Sequence, residues 1–375
     1  ERWYTSPKMK LDILKSGALL WALALFTYSC KVESNKNLVV SMQSYAVPVG
    51  FVQDWDNHQV IEFQGKTALA TPSDTSILIY GLLSGQILET IPIPDSLRGS
   101  ASLAMGDQAF ALFDQQRVGV VTENSLFMSL WNTLLPDSVV KAVQGPVILW
   151  EEYNCLVFQI FDGRLTYKQH EYDMPYLWCW NYRTGDSFAL PVRWDPMIGG
   201  PRFTMPRVYL TVCAGKLIVS EAYSNRVVTL DKVDSAKEHL WTPKNLAFKS
   251  FPRYVGYNID KEVEHSLYQE VHHPAFGKAF WTSHSTWIES IRLYYPELPD
   301  TDAFGRFLAG RDKPVHAILR TNDGDYFEVT LPANRYFVSK RWTMINDTLY
   351  YAKWLSKNEK GQHNFVVDAL AFSLY

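Results

Sequence analysis

The chain has 375 residues, 47% of them apolar and 20% charged, with 36 Lys and Arg against 39 Asp and Glu for a formal net charge of −3. Such an apolar share, with no low-complexity tract, specifies a globular body with a sizeable core and excludes a disordered one. The near-balanced charge, with no Lys/Arg cluster, excludes nucleic acid as a partner, because phosphate neutralisation demands a basic face.

Glu1 to Lys8 precede Met9, a candidate initiator, and fit neither a signal nor a folded segment; they read as an upstream extension. From Met9 the basic Lys10 and Lys15 lead into the apolar run Ala18 to Phe26, which ends at Thr27-Tyr28-Ser29-Cys30. A run of roughly ten apolar residues is too short to span a membrane, and a small residue before a cysteine is the layout of a bacterial lipoprotein signal. Thr27 and Tyr28 stand where such cleavage boxes carry Leu and a small residue, so the pattern rests on Ser29-Cys30 and the apolar run. The expectation is therefore an extension and signal peptide over 1–29, a lipidated Cys30 opening a polar tether over 30–37, and one folded domain over 38–375. Cys155, Cys179 and Cys213 then remain, enough for at most one disulfide, without metal-type spacing; no metal and no cofactor are expected.

Along the folded domain a phrase of short β-rich segments and turns recurs. Ala68-Leu69-Ala70, Ile77 to Tyr80 and Ile87 to Ile91 make the first copy, and Ala109 to Phe113, Val118 to Val121 and Leu126 to Met128 the second. The third is Leu156 to Ile160, Tyr176 to Trp180 and Phe188 to Leu190; the fourth is Lys216 to Val219 and Val227 to Leu230. Lys278 to Thr282 opens a fifth, stretched by an insertion from Pro296 to Asp312 before Val315 to Leu319, and the sixth runs from Thr348 to Ala352 and from Phe365 to Phe372. Irregular copies every roughly 40 to 70 residues, each a strand meander, predict an all-β fold, a β-propeller of six blades, with seven as the alternative count. Pro191 to Pro206 and Leu240 to Tyr268 are the stretches that leave the count open. A strand near Val39 or Val47 is expected to pair with the last blade, removing the open edge of a linear array.

Candidate chemistry is sparse. His265, His272, His273 and His284 crowd together, but adjacent His272 and His273 point to opposite faces of an extended chain, and no pair has the helical spacing of metal ligands. Glu151-Glu152 leave the strand Val147 to Trp150 as neighbours that diverge rather than as an acid and base pair. Asn322-Asp323-Gly324-Asp325 lacks the distal ligands of a calcium loop and reads as a hairpin turn. Most of the 13 Trp and 21 Tyr belong to blade packing, Trp178 and Trp180 sharing one strand face. The exception is the loop Ser283-His284-Ser285-Thr286 between Trp281 and Trp287, which sets an imidazole and hydroxyls beside two large aromatic faces; Trp281, His284 and Trp287 are the candidate binding residues.

The lipoprotein start, the six irregular blades, the phrase His273-Pro274-Ala275-Phe276-Gly277-Lys278-Ala279-Phe280-Trp281 and the ending Asn346 to Tyr351 through Leu370 to Leu374 resemble the Bacteroidota six-bladed propeller lipoproteins, the domain-of-unknown-function 4221 (DUF4221) family among them. His272-His273-Pro274 and Phe280-Trp281 occupy places where such proteins carry a Tyr-Asp-Pro phrase and an aromatic pair. The resemblance implies fold and location, namely an outer-membrane lipoprotein facing the periplasm or cell surface, and implies no activity or catalytic residue.

Two function classes fit this reading. One is a monomeric, membrane-anchored propeller that binds a sugar, peptide or protein at its funnel without catalysis. The other is a secreted hydrolase or lyase with its active site in that funnel. Aromatics and uncharged polar groups at the funnel would favour the first, and converging acids or histidines the second.

Overall fold

A computed structural model describes residues 38–49, 58–100, 102–135, 141–162, 175–194, 208–222, 224–242, 275–283, 287–295, 314–334, 342–357 and 363–374. Residues 41–371 form one compact unit; 1–40 and 372–375 form a second, described here by the ends of its two strands. The fold is a six-bladed β-propeller of six four-stranded sheets.

Blade 1 holds β1's successors in chain order, β2 (Gln59–Phe63), β3 (Lys66–Pro72), β4 (Ser76–Gly81) and β5 (Ile87–Pro92), where β1 is Leu38–Val49. Blade 2 is β6 (Ser102–Met105), β7 (Ala109–Phe113), β8 (Arg117–Thr122) and β9 (Ser125–Leu130). Blade 3 is β10 (Lys141–Trp150), β11 (Cys155–Asp162), β12 (Leu177–Asn181) and β13 (Ser187–Ala189). Blade 4 is β14 (Val208–Cys213), β15 (Lys216–Glu221), β16 (Arg226–Lys232) and β17 (Ser235–Leu240). Blade 5 is β18 (Ala275–Trp281), β19 (Ile288–Tyr295), β20 (Pro314–Thr321) and β21 (Tyr326–Asn334). Blade 6 takes β22 (Thr343–Ile345), β23 (Thr348–Lys357) and β24 (His363–Leu374) from the end of the chain and β1 from its start, in the order β1-β24-β23-β22.

Each sheet is an antiparallel meander, and the first strands of successive blades are neighbours, β2 with β6, β6 with β10, β10 with β14, β14 with β18 and β22 with β2. A hydrogen bond crosses every junction of the ring. Gln59 accepts from the Met105 N–H (3.0 Å), Glu151 from the Asp107 N–H (2.8 Å), and the Gly215 carbonyl from Trp150 Nε1 (2.7 Å). Ser220 donates to the Gly277 carbonyl (2.7 Å), Lys278 Nζ to the Trp342 carbonyl (3.1 Å), and Asn346 to Glu62 (3.2 Å). The closure strand is held through its side chains too: the Ser44 hydroxyl donates to the buried Asp368 carboxylate at 2.5 Å, and Tyr351 also bonds that carboxylate; burial first, and then that bond, hold its phenol well above the usual range.

The sequence copies correspond to the second, third and fourth strands of blades 1 to 3; the first strands β2, β6, β10 and β14 escaped them, as did β19 in blade 5. Three of the missed hairpins turn on two residues of positive φ, Gln64-Gly65, Ala214-Gly215 and Asn346-Asp347, a type I′ geometry without the Asn-Gly or Asp-Gly spelling. Gly215 is also crowded, since a Cβ there would lie 2.3 Å from the Glu152 carboxylate of the preceding blade. Cys155 and Cys179 form a disulfide inside blade 3, and Cys213 is free and buried.

Candidate functional site

Trp281 ends β18 and Trp287 precedes β19, so the two stand at either end of the first hairpin connection of blade 5. Both are half-buried. The Trp281 ring leans on His239 of β17 in the neighbouring blade, with centroids 5.0 Å apart, while Trp287 meets Phe327 of its own blade edge-on at 5.9 Å. Burial first, then Lys237, Arg320 and Lys216, holds His239 below the ordinary histidine range, so it presents a neutral ring to Trp281 at neutral pH. Between them Ser283 gives both its N–H (2.6 Å) and its hydroxyl to the Asp347 carboxylate of blade 6. His284 lies outside the described residues, as do Cys30, His265, His272 and His273.

The other short connections on this side of the blades carry most of the acids singled out in the sequence. Glu151 and Glu152 diverge, Glu151 accepting the N–H groups of Asp107 and Gln108 at 2.8 and 2.9 Å while Glu152 lies against Gly215 of blade 4. Asp107, partly withdrawn from water and facing the negative charge of Glu62, has its carboxyl raised above the usual range. Asn322 to Asp325 forms the expected hairpin, with Gly324 at φ 84° and the Thr321 hydroxyl accepting the Asp325 N–H at 3.0 Å. Trp180 is buried and Trp178 half-buried in the core between blades 2 and 3. Among the described residues no group of three or more His, Cys, Asp or Glu is placed to hold a metal ion.

A second polar assembly, running from Tyr176 beside blade 3 through blade 4 to Arg292 of blade 5, escaped the sequence. Glu221 at the end of β15 is 2% exposed, and its carboxylate accepts from the Tyr176 hydroxyl (2.9 Å) and from Arg226 Nη2 (2.7 Å). Arg226 also reaches Glu238 (2.7 Å) and the Arg193 carbonyl. Arg292 of β19, wholly buried, lies 3.6 Å over the Phe276 ring and donates through Nη2 to the Glu221 and Ser224 carbonyls at 2.9 and 2.8 Å. Isolated charges inside β-rich segments carry no periodicity of their own, so spacing could not have joined residues 221, 226 and 292 across two blades.

No family model matches this sequence, and no curated protein does. Among solved structures, a DUF4221 family member from Bacteroides vulgatus aligns with a TM-score of 0.64 at 13% identity, over 91% of this chain and 99% of that one. A virginiamycin B lyase from Staphylococcus aureus covers 88% of this chain and 99% of its own at 10% identity and a TM-score of 0.40, and BamB from Moraxella catarrhalis covers 89% and 98% at 9% and 0.34. What the chain shares with the Bacteroides protein is the fold, a six-bladed β-propeller resembling that of the DUF4221 family.

Proposed function

We propose that this protein is a lipoprotein of the bacterial cell envelope, anchored through acylated Cys30, whose propeller captures a sugar, peptide or protein ligand beside Trp281, His284 and Trp287 without catalysis. The observation that carries the binding reading is the pair of half-buried tryptophans, each braced by one aromatic neighbour, at the two ends of one blade 5 connection. Rigid, partly open aromatic faces suit stacking on a ligand surface. The neighbouring acids are engaged as acceptors across blade junctions, which favours binding over acid–base work. An extracytoplasmic location accords with the Cys155–Cys179 disulfide, since such bonds persist in oxidising compartments.

The hydrolase or lyase reading draws support from one pair, Asp107 with its raised carboxyl beside Glu62. Two experiments test the proposal. Cys30→Ser should move the protein from the membrane to the soluble fraction; retention, with residues before Cys30 intact by mass analysis, would refute the anchor. On oligosaccharide and peptide arrays, Trp287→Ala should lose captured ligands while melting near the parent temperature. A loss of about 3–5 kcal/mol in stability would instead make Trp287 blade core.

A further inference from the structure

Alternation along the strands identifies the two faces that meet between blades 4 and 5. On β14, Val208 and Leu210 pack into the core with blade 3, so Thr211 and Cys213 point the other way, toward blade 5; the Cys213 thiol accepts there from the Trp281 N–H. On β19, Arg292 crosses to the Glu221 and Ser224 carbonyls of blade 4, and Ser290, two residues earlier, shares that face. Thr211 Oγ1, Ser290 Oγ, and Nε and Nη1 of Arg292 are all buried and have no hydrogen-bond partner among the described residues.

A guanidinium only donates, and Nη2 of Arg292 is committed to two carbonyls, so three of its five N–H groups face no acceptor among the described residues. Among the described residues its charge is opposed by one buried carboxylate, Glu221, which it does not have to itself. That carboxylate turns to the blade 3 side of blade 4, where it is engaged by Arg226 and Tyr176, and the largely exposed Glu238 serves the other end of Arg226. Two buried guanidinium groups against one buried carboxylate leave a positive charge inside, which is strongly destabilising unless something pairs it. Water could accept the hydrogens but would bring no charge. Arg292 and Ser290 are both 0% exposed, so the missing group must be small.

We propose that the junction between blades 4 and 5 is a binding site for a compact monovalent anion, a halide or a one-carbon carboxylate, held by the free N–H groups of Arg292 with the hydroxyls of Ser290 and Thr211 as further donors. The site is separate from the blade 5 connection and does not depend on what binds there.

The test compares melting of the full chain at equal ionic strength in gluconate, which is too large to enter, with chloride, bromide and formate. The expected result is a midpoint about 2–4 °C higher in the small anions than in gluconate, with anomalous scattering from bromide beside the Arg292 guanidinium in soaked crystals. Stabilisation by halides but not formate, or the reverse, tells the two sources apart. Arg292→Met should abolish the difference between salts. Should that variant not fold, Ser290→Ala, which keeps the cation, should raise the anion concentration for half-maximal stabilisation about threefold or more. Equal melting in all four salts, with ordered water alone or a carboxylate of the chain itself beside Arg292, would overturn the proposal.

Discussion

The junctions between blades 2 and 3 and between blades 4 and 5 solve the same packing problem with opposite materials. In the first, Val118 and Val120 of β8 face Leu149, Leu156 and Phe158 of blade 3, and Trp131 closes the edge with its ring 5.1 Å from Phe158 and its Nε1 donating to the Asp114 carbonyl at 2.8 Å. In the second, Thr211 and Ser220 turn toward blade 5, where Ser220 donates to the Gly277 carbonyl, and Arg292 reaches back to the Glu221 and Ser224 carbonyls while its remaining N–H groups meet no acceptor among the described residues. Apolar burial is non-directional and tolerates imperfect fit, whereas each buried polar group needs a specific partner. The first junction therefore contributes stability, and the second holds its blades in a geometry that one lost partner would upset.

The largest effect should come from breaking the apolar junction. Phe158 is wholly buried and is the partner on which Trp131 rests. Phe158→Ala should cost about 3–5 kcal/mol, read as a drop in the urea midpoint with an unchanged slope. A cost below about 1 kcal/mol would mean that the blades can slide together to refill the space, contrary to the close packing described.

On the blade 3 side of blade 4, Arg226→Met leaves Glu221 buried with the Tyr176 hydroxyl and without its cation, for a cost of about 3 kcal/mol. Adding Glu221→Gln should recover part of that loss, because the uncompensated charge goes with it. The same pair of changes at an exposed ion pair such as Lys216–Asp231 should cost under about 1 kcal/mol and show no recovery. Equal costs at both places would mean that the Glu221–Arg226 pair behaves as though solvated.

The apolar junctions were legible in the sequence because alternation marks them: Ala109 to Phe113 and Val118 to Val121 read as strands from their own letters. The first strands β2, β6, β14 and β22 were not. β2 and β6 are short, β22 shorter still, and the turns after β2 and β22 use Gln-Gly and Asn-Asp, which spell no hairpin unaided. Trp281 and Trp287 could be named because they flank one loop in sequence, but their separate braces, His239 and Phe327, come from other strands. The Arg292 assembly was invisible for a stronger reason. A lone arginine between Ile291 and Leu293 carries no local signal, and its partners lie some 70 residues away in the preceding blade.

The smallest expected effect lies on the two sides of β18, where Cys213 of blade 4 and Lys278, turned to blade 6, oppose each other in pH dependence. Lys278 is half-buried with its ammonium turned to the Trp342 carbonyl, and desolvation pushes its pKa from 10.5 down to about 8. Between those values the unfolded chain holds a proton that the folded chain has released, so this group makes stability rise with pH across that window. Burial pushes the Cys213 thiol from 9.0 up to about 11, so there the folded chain keeps a proton that the unfolded chain has lost, and stability falls with pH. The two cancel where they overlap. Wild-type stability should climb from about pH 8 to 9, by no more than about 1.4 kcal/mol per pH unit, then level off and decline. Lys278→Met should remove the climb, and Cys213→Ala should extend it toward pH 10.5. Urea midpoints across this range decide it: a curve that Lys278→Met leaves unchanged would mean that the ammonium is as well solvated folded as unfolded, and that the blade 5–6 contact at the Trp342 carbonyl is open to water.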